Sequence, residues 1–327
     1  MMGSKTTLIL GFDLLKFILA IMILAGHTSL FVEYPALFHA REELSSIAVP
    51  IFLTIGAYFF YRKVYVLSES ENTRPLLINT VKRLLILFIS WYILMLPMTY
   101  FKFFSVATMK ETIFAIFLSC TFNGYWFIKA LLFNTIIFYF CRRGKALWIC
   151  TGLAWAIYLF LSYNYIFHFF KFPYHPYYSF YYNMAYFSFG VLGAKYGVRA
   201  VSYRHTIPIV TFWIVLFVVD ILFVSFSPLF RILSIPVFFI LFYQLRLKSG
   251  HQYKTMRNMS IILYMVQFLL IWIYDLCCNH FLDTTGIIYQ TLQWSVVKFL
   301  VILMVAIVIS LCILCSENKY KFLKNLH

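Results

Sequence analysis

Phe12 to Thr28 reads FDLLKFILAIMILAGHT. The stretch is apolar except at a few places, and with its neighbours it fills residues 8-31, long enough for the roughly twenty helical residues that cross a hydrocarbon core of about 30 Å. Asp13 and Lys16 stand at i and i+3, so they share a face and can pair. Lys16 and His27 are eleven residues apart, a rotation of about 1100°, or three turns plus roughly 20°. They fall on one stripe with a rise of about 16 Å between them, half the hydrocarbon thickness. A secretory signal would offer an uninterrupted apolar run and a small-residue cleavage site; here Asp13 and Lys16 interrupt the run and it continues past Ala25, so a retained helix is expected.

The same pattern recurs along the chain. Apolar stretches near span length occupy about 8-31, 45-61, 83-101, 112-140 (a short dipping stretch and then a full span from about 123), 146-163, 178-195, 206-226, 229-245, 259-278 and 290-315. Of 327 residues, 63% are hydrophobic and 12% charged, about half the roughly 25% of soluble domains. These figures exclude a soluble globule. The expected fold is all-α: one polytopic transmembrane helical bundle of about ten spans, forming a single domain over 1-327 with no linker, repeat or low-complexity tract.

Lys and Arg number 27 against 11 Asp and Glu, a net charge of +16. In a soluble chain such an excess would suggest nucleic acid. Here nineteen of the basic residues fall in the segments on the side of the N-terminus and five on the other, with Lys16, Lys129 and Lys298 inside spans. This bias fits the positive-inside rule, predicts both termini in the cytoplasm, and assigns the basicity to topology and anionic lipid. Nucleic acid is not an expected partner.

The seven cysteines lack zinc-ligand spacing. Cys312 and Cys315 have the spacing of a redox pair but lie in an apolar run without a partner domain, so packing is the expected role, and no metal is expected. The aromatic segment from Tyr163 to Tyr182 reads as an outer loop, expected to lie in the interfacial aromatic belt, with a platform for substrate as the alternative. Ionisable groups within spans are costly and commonly functional. They are Asp13, Lys16, His27, Lys129, Asp220 and Lys298, with Arg83 at a span edge; Asp220 and Lys298 are read as a structural ion pair.

The stretch FDLLKFILAIMILAGHT resembles the opening of acyltransferase family 3, integral-membrane O-acyltransferases of bacterial cell-surface carbohydrates, whose hallmark of a basic residue, ten residues and a histidine is here Lys16-x10-His27. The stretches VPIFLTIGAYFFYRK, VKRLLILFISWYILMLP, NGYWFIKALLF and SIILYMVQFLLI are similar, in order, to later helices of that family. The chain departs from the pattern at Lys16, where arginine is commoner, at adjacent Lys82 and Arg83 in place of spaced arginines, and at Tyr125 and Gln267 in place of frequent histidines.

The resemblance implies transfer of an acyl group, usually acetyl, from acyl-coenzyme A entering from the cytoplasm to a hydroxyl of a cell-surface or lipid-linked sugar, in the bacterial inner membrane. No permanently bound cofactor is implied. His27 suits a general base, since its unperturbed pKa of about 6.5 lies near working pH, and Lys16 would orient the site or neutralise donor charge. Arg83 and Lys82 are candidates for the donor's phosphates, with Trp126 and Lys129, again i and i+3, beside them. Asn123, Tyr264 and Gln267 are candidates for the acceptor. A different class, a transporter or flippase for a lipid-linked sugar or small solute, would also use intramembrane lysine, histidine and aspartate; so would a relative that has lost activity.

Overall fold

In the computed structural model, described residues are 9-67, 72-95, 126-170, 178-198, 203-223, 227-245, 247-248, 250-281 and 294-317, with 319, 320, 323 and 326 near the end. Among them the regular structure is helical: α1 (Leu10–His27), α2 (Pro35–Ser46), α3 (Ala48–Leu67), α4 (Arg74–Leu94), α5 (Trp126–Cys141), α6 (Gly144–Phe167), α7 (Met184–Tyr196), α8 (Tyr203–Leu222), α9 (Ser227–Tyr243), α10 (His251–Phe281) and α11 (Ser295–Ser316). The all-α membrane bundle read from the composition is the observed architecture. Seven of the helical stretches are long and apolar enough to cross a membrane, and α5 and α9 are shorter apolar helices. With 13 residues, α7 would rise only about 20 Å at 1.5 Å per residue.

Helix boundaries differ from the sequence reading at several places. The third span was placed at 83-101 because Lys82 and Arg83 looked like its basic entry. The helix instead starts at Arg74, with Pro75 in the first turn, where its fixed φ and missing N–H do no harm; Lys82 and Arg83 therefore lie inside it, and residues 96-101 lie outside the described residues. α10 starts at His251, eight residues before the apolar run. α2, in the segment read as an outer loop, also opens on a proline, Pro35. The dipping stretch before residue 123 lies outside the described residues.

α1 is the hub. Its residues Phe12, Leu15, Leu19 and Ile23 are buried at helical spacing, and it touches α2, α3, α9, α10 and α11. Phe12 meets Tyr58 edge-on at 6.0 Å and Phe239 at 4.7 Å between ring centroids. α3 and α7 pack closest of all. A Cβ built on Gly190 would stand 2.1 Å from the Thr54 carbonyl oxygen, so only glycine permits this approach, as small residues do between membrane helices. The Thr54 hydroxyl donates to the Tyr186 carbonyl at 2.8 Å across the same interface. By contrast α8 turns Ile207, Phe212, Ile214, Val215 and Val218 outward, an apolar surface suited to lipid.

The ion pair expected between Asp220 and Lys298 is not formed. Lys298 of α11 donates to Asp275 of α10 at 2.6 Å, its neighbour on the packed helix, while Asp220 on α8 is fully buried elsewhere. Asp13 likewise meets Arg257 at 3.9 Å rather than Lys16. Cys312 and Cys315, expected to pack, are exposed free thiols on the outward side of α11, whereas Cys150 and Cys278 are buried.

Candidate functional site

α1 and α10 run side by side in the same direction, Asp13 beside Arg257 near their starts and His27 beside Phe268 further along, with ring centroids 4.5 Å apart. We name the end where α1 begins the inner end, after the cytoplasmic N-terminus expected from the charge bias. Two chambers open along this pair.

The inner chamber, about 400 Å³, is lined by Lys16 of α1, Gly56 of α3, Asn79, Thr80 and Arg83 of α4, Phe127 and Leu131 of α5 and Ser260 and Tyr264 of α10. The Lys16 ammonium lies over the Phe59 ring, 5.2 Å from its centroid, a contact worth about 0.5–2 kcal/mol as burial increases. Arg83 and Arg257 are within electrostatic reach of Lys16, as is Asp13. Lys16 and Arg83 line the chamber, and Arg257 and Asp13 pair with each other beside it, so the pocket is positive, the complement of a phosphorylated ligand.

The outer chamber, about 350 Å³, takes His27 from α1, Glu42, Glu43 and Ser45 from α2, Trp126 from α5, Tyr178, Tyr182 and Asn183 from the segment entering α7, Tyr186 from α7, Arg231 from α9 and Tyr264 from α10. His27 is the exposed residue of its turn and faces this space. Trp126 and Tyr178 meet edge-on at 5.6 Å. Aromatic faces with nearby hydroxyl, amide and charged groups suit a flat, polyhydroxylated ligand. Val49 and Tyr264 line both chambers, so the wall between them is one side chain thick at Tyr264.

The turn that presents His27 is held from three sides. Arg41 of α2 is buried; its Nε donates to the Leu30 carbonyl at 3.1 Å and a terminal N–H to that of Gly26 at 3.4 Å, while its guanidinium lies 4.2 Å from the Phe38 ring centroid and pairs with Glu42. Ser29 and Phe31 adopt left-handed φ of 54° and 66°, a conformation costing roughly 1–2 kcal/mol per non-glycine residue. The Phe31 N–H donates to the Ser295 hydroxyl at 2.9 Å, and Glu33 accepts from the Ser295 N–H at 2.7 Å and from its hydroxyl. Burial raises the Glu33 carboxyl's proton affinity, but these hydrogen bonds outweigh it and hold the group below its usual value of 4.5.

The structure divides the residues singled out in the sequence. Lys16 and Arg83 converge on the inner chamber, and His27, Trp126 and Tyr264 on the outer; Trp126, grouped with the donor residues, is therefore on the other side of the wall. Lys82 points the other way, into a groove of about 810 Å³ between α4 and α5 that it shares with Arg74 and apolar side chains. Lys129 is buried on α5 and lines neither chamber. Gln267 is fully buried one turn beyond Tyr264, and its amide has no hydrogen-bond partner among the described residues. Asn123 lies outside the described residues. Sequence reasoning does not single out Glu43, Arg231 or Arg257; the two arginines enter it only through the bias of basic residues between the two sides. Among the described residues no cluster of His, Cys, Asp and Glu could hold a metal ion.

The family model described as an acyltransferase domain, that of acyltransferase family 3, matches residues 9–315. The chain belongs to this family. Comparison with curated proteins and with solved structures found no match. The match takes in the whole of the helical bundle of this acyltransferase, both chambers included.

Proposed function

We propose that the acyltransferase moves an acyl group, acetyl by resemblance, from acyl-coenzyme A in the inner chamber to a hydroxyl of a cell-surface or lipid-linked sugar in the outer one, working in a bacterial inner membrane. One observation carries this reading: a cationic chamber and a chamber holding an accessible histidine lie on the same pair of helices, separated by Tyr264. Lys16, Arg83 and Arg257 hold the donor's phosphates, and the donor's arm passes Tyr264 to bring the thioester beside His27. A ring nitrogen of His27 takes the proton of the acceptor hydroxyl as its oxygen attacks the thioester carbon. The carbon–sulfur bond then breaks, and the thiolate leaves with the proton returned by the imidazolium. Neither chamber alone performs the transfer.

The test is His27→Ala in purified, lipid-reconstituted protein with acetyl-coenzyme A. Transfer should fall by about 10²–10⁴-fold, the usual worth of general base catalysis, with donor binding kept. Acidification should slow the wild type, because a protonated imidazole cannot accept a proton. A folded His27→Ala protein with the wild-type transfer rate overturns the proposal.

A further inference from the structure

Glu43 of α2 meets Asp220 of α8 and Arg231 of α9, from a distant part of the chain, at the outer chamber. Glu43 and Arg231 line it. Asp220 lies behind, 0% exposed against 8% for Glu43, with its carboxyl close enough to that of Glu43 for the two to interact electrostatically. Among the described residues no N–H or hydroxyl reaches Oε2 of Glu43 or either oxygen of Asp220. Buried carboxyl oxygens without donors are costly inside a membrane protein, and two carboxyls face to face are held by a proton between them. The pair then carries one negative charge, which Arg231, within electrostatic reach of Glu43, balances. What faces the chamber is a carboxyl oxygen that accepts beside a guanidinium that donates, in a neutral cluster. A hydroxyl, which donates and accepts at once, is its complement.

We propose that Glu43 positions and selects the acceptor: it accepts a hydrogen bond from a hydroxyl adjacent to the one acylated, Arg231 donates to that same hydroxyl, and Asp220 holds Glu43 in place. The neutrality of the cluster selects uncharged polyhydroxylated acceptors over anionic ones. This inference rests on the transfer reading above.

The experiment uses reconstituted protein, acetyl-coenzyme A, and a panel of methyl hexopyranosides with their monodeoxy analogues and methyl glucuronide. Glu43→Leu, which can neither accept nor donate, should raise the glycoside KM by about 10–100-fold, the range for losing a hydrogen bond to a charged group, with KM rather than kcat carrying the change. The wild type should discriminate against one monodeoxy analogue by a similar factor, and Glu43→Leu should not. Asp220→Asn, which still donates to Glu43, should keep most of the selectivity, whereas Asp220→Ala should lose it. The glucuronide should be the poorer acceptor. A folded Glu43→Leu protein with wild-type KM or wild-type discrimination overturns the inference, as does a preference for the glucuronide, or donor binding without transfer to any glycoside. If the wild type neither binds acetyl-coenzyme A nor transfers from it, the parent reading itself has failed.

Discussion

Replacing Arg41 by Met keeps a long side chain over Phe38 and removes the guanidinium that fastens the turn after His27. Two carbonyls lose a charged donor. The Leu30 bond at 3.1 Å is worth about 1.5–3 kcal/mol, the range for hydrogen bonds to charged groups. The Gly26 bond at 3.4 Å is long and belongs at or below the bottom of that range. The pair with Glu42 adds little, since half-exposed ion pairs contribute about 0–1 kcal/mol. A loss of about 2–4 kcal/mol is therefore expected, offset in part if the turn relaxes, because Ser29 and Phe31 no longer need their left-handed conformations. Since Gly26 adjoins His27, the loss should appear in catalysis as well as in folding. Thermal unfolding in detergent should show a lower midpoint, and transfer should show a lower kcat with the donor KM unchanged. A companion substitution tests the strain: Ser29→Gly should stabilise by up to about 1 kcal/mol, the left-handed penalty less the added chain entropy of glycine. Arg41→Met with an unchanged midpoint and an unchanged kcat refutes the argument that Arg41 positions His27.

Arg83→Ala should weaken acetyl-coenzyme A binding by about 10–100-fold, whereas Lys82→Ala, in the lateral groove, should change it no more than about twofold, as surface substitutions do; calorimetry on both variants decides, and equal effects refute the assignment of Arg83 rather than Lys82 to the donor. Gly190→Ala drives a Cβ into the Thr54 carbonyl and should cost about 1–3 kcal/mol by overpacking, read as a lower unfolding midpoint with a matching loss in the outer chamber, since Tyr186 sits on the same interface. Glu33→Gln should lower the midpoint at neutral pH. Because the folded Glu33 carboxyl binds its proton more weakly than the unfolded one, its contribution is present above the unfolded value of 4.5 and lost as pH falls through the lower folded value. The gap between wild type and variant should thus close on acidification below 4.5, and a gap that widens contradicts the sign.

The membrane bundle was legible because apolar run length depends on nothing but local sequence, and the Lys16–His27 stripe because eleven residues is close to a whole number of turns. Boundaries failed where a cation sat within a helix: Lys82 and Arg83 looked like an entry, yet a proline seven residues earlier sets the start. The split of the site across two chambers was hidden, since it depends on which helix stands beside α1. Tyr264 was found by its resemblance to a family position, but its place in the shared wall is a tertiary fact. Glu43 is separated from both Asp220 and Arg231 by more than 170 residues, and no local period relates them; the acidic pair Glu42–Glu43 beside Arg41 was the signal available.

The parallel course of α1 and α10 makes the protein a ruler. Lys16 and His27 sit on one continuous helix, so their separation of about 16 Å is set by helical rise and cannot be adjusted by a loop. On the proposed reading, a donor anchored at the cationic end presents its thioester to His27 only if its arm spans that length. A short thioester such as that of N-acetylcysteamine would fill one chamber or the other without bridging them. Donors would then be sorted by reach before they are sorted by affinity, and a helical turn deleted from α1 between Lys16 and His27 would shift the preferred arm length by about 5 Å.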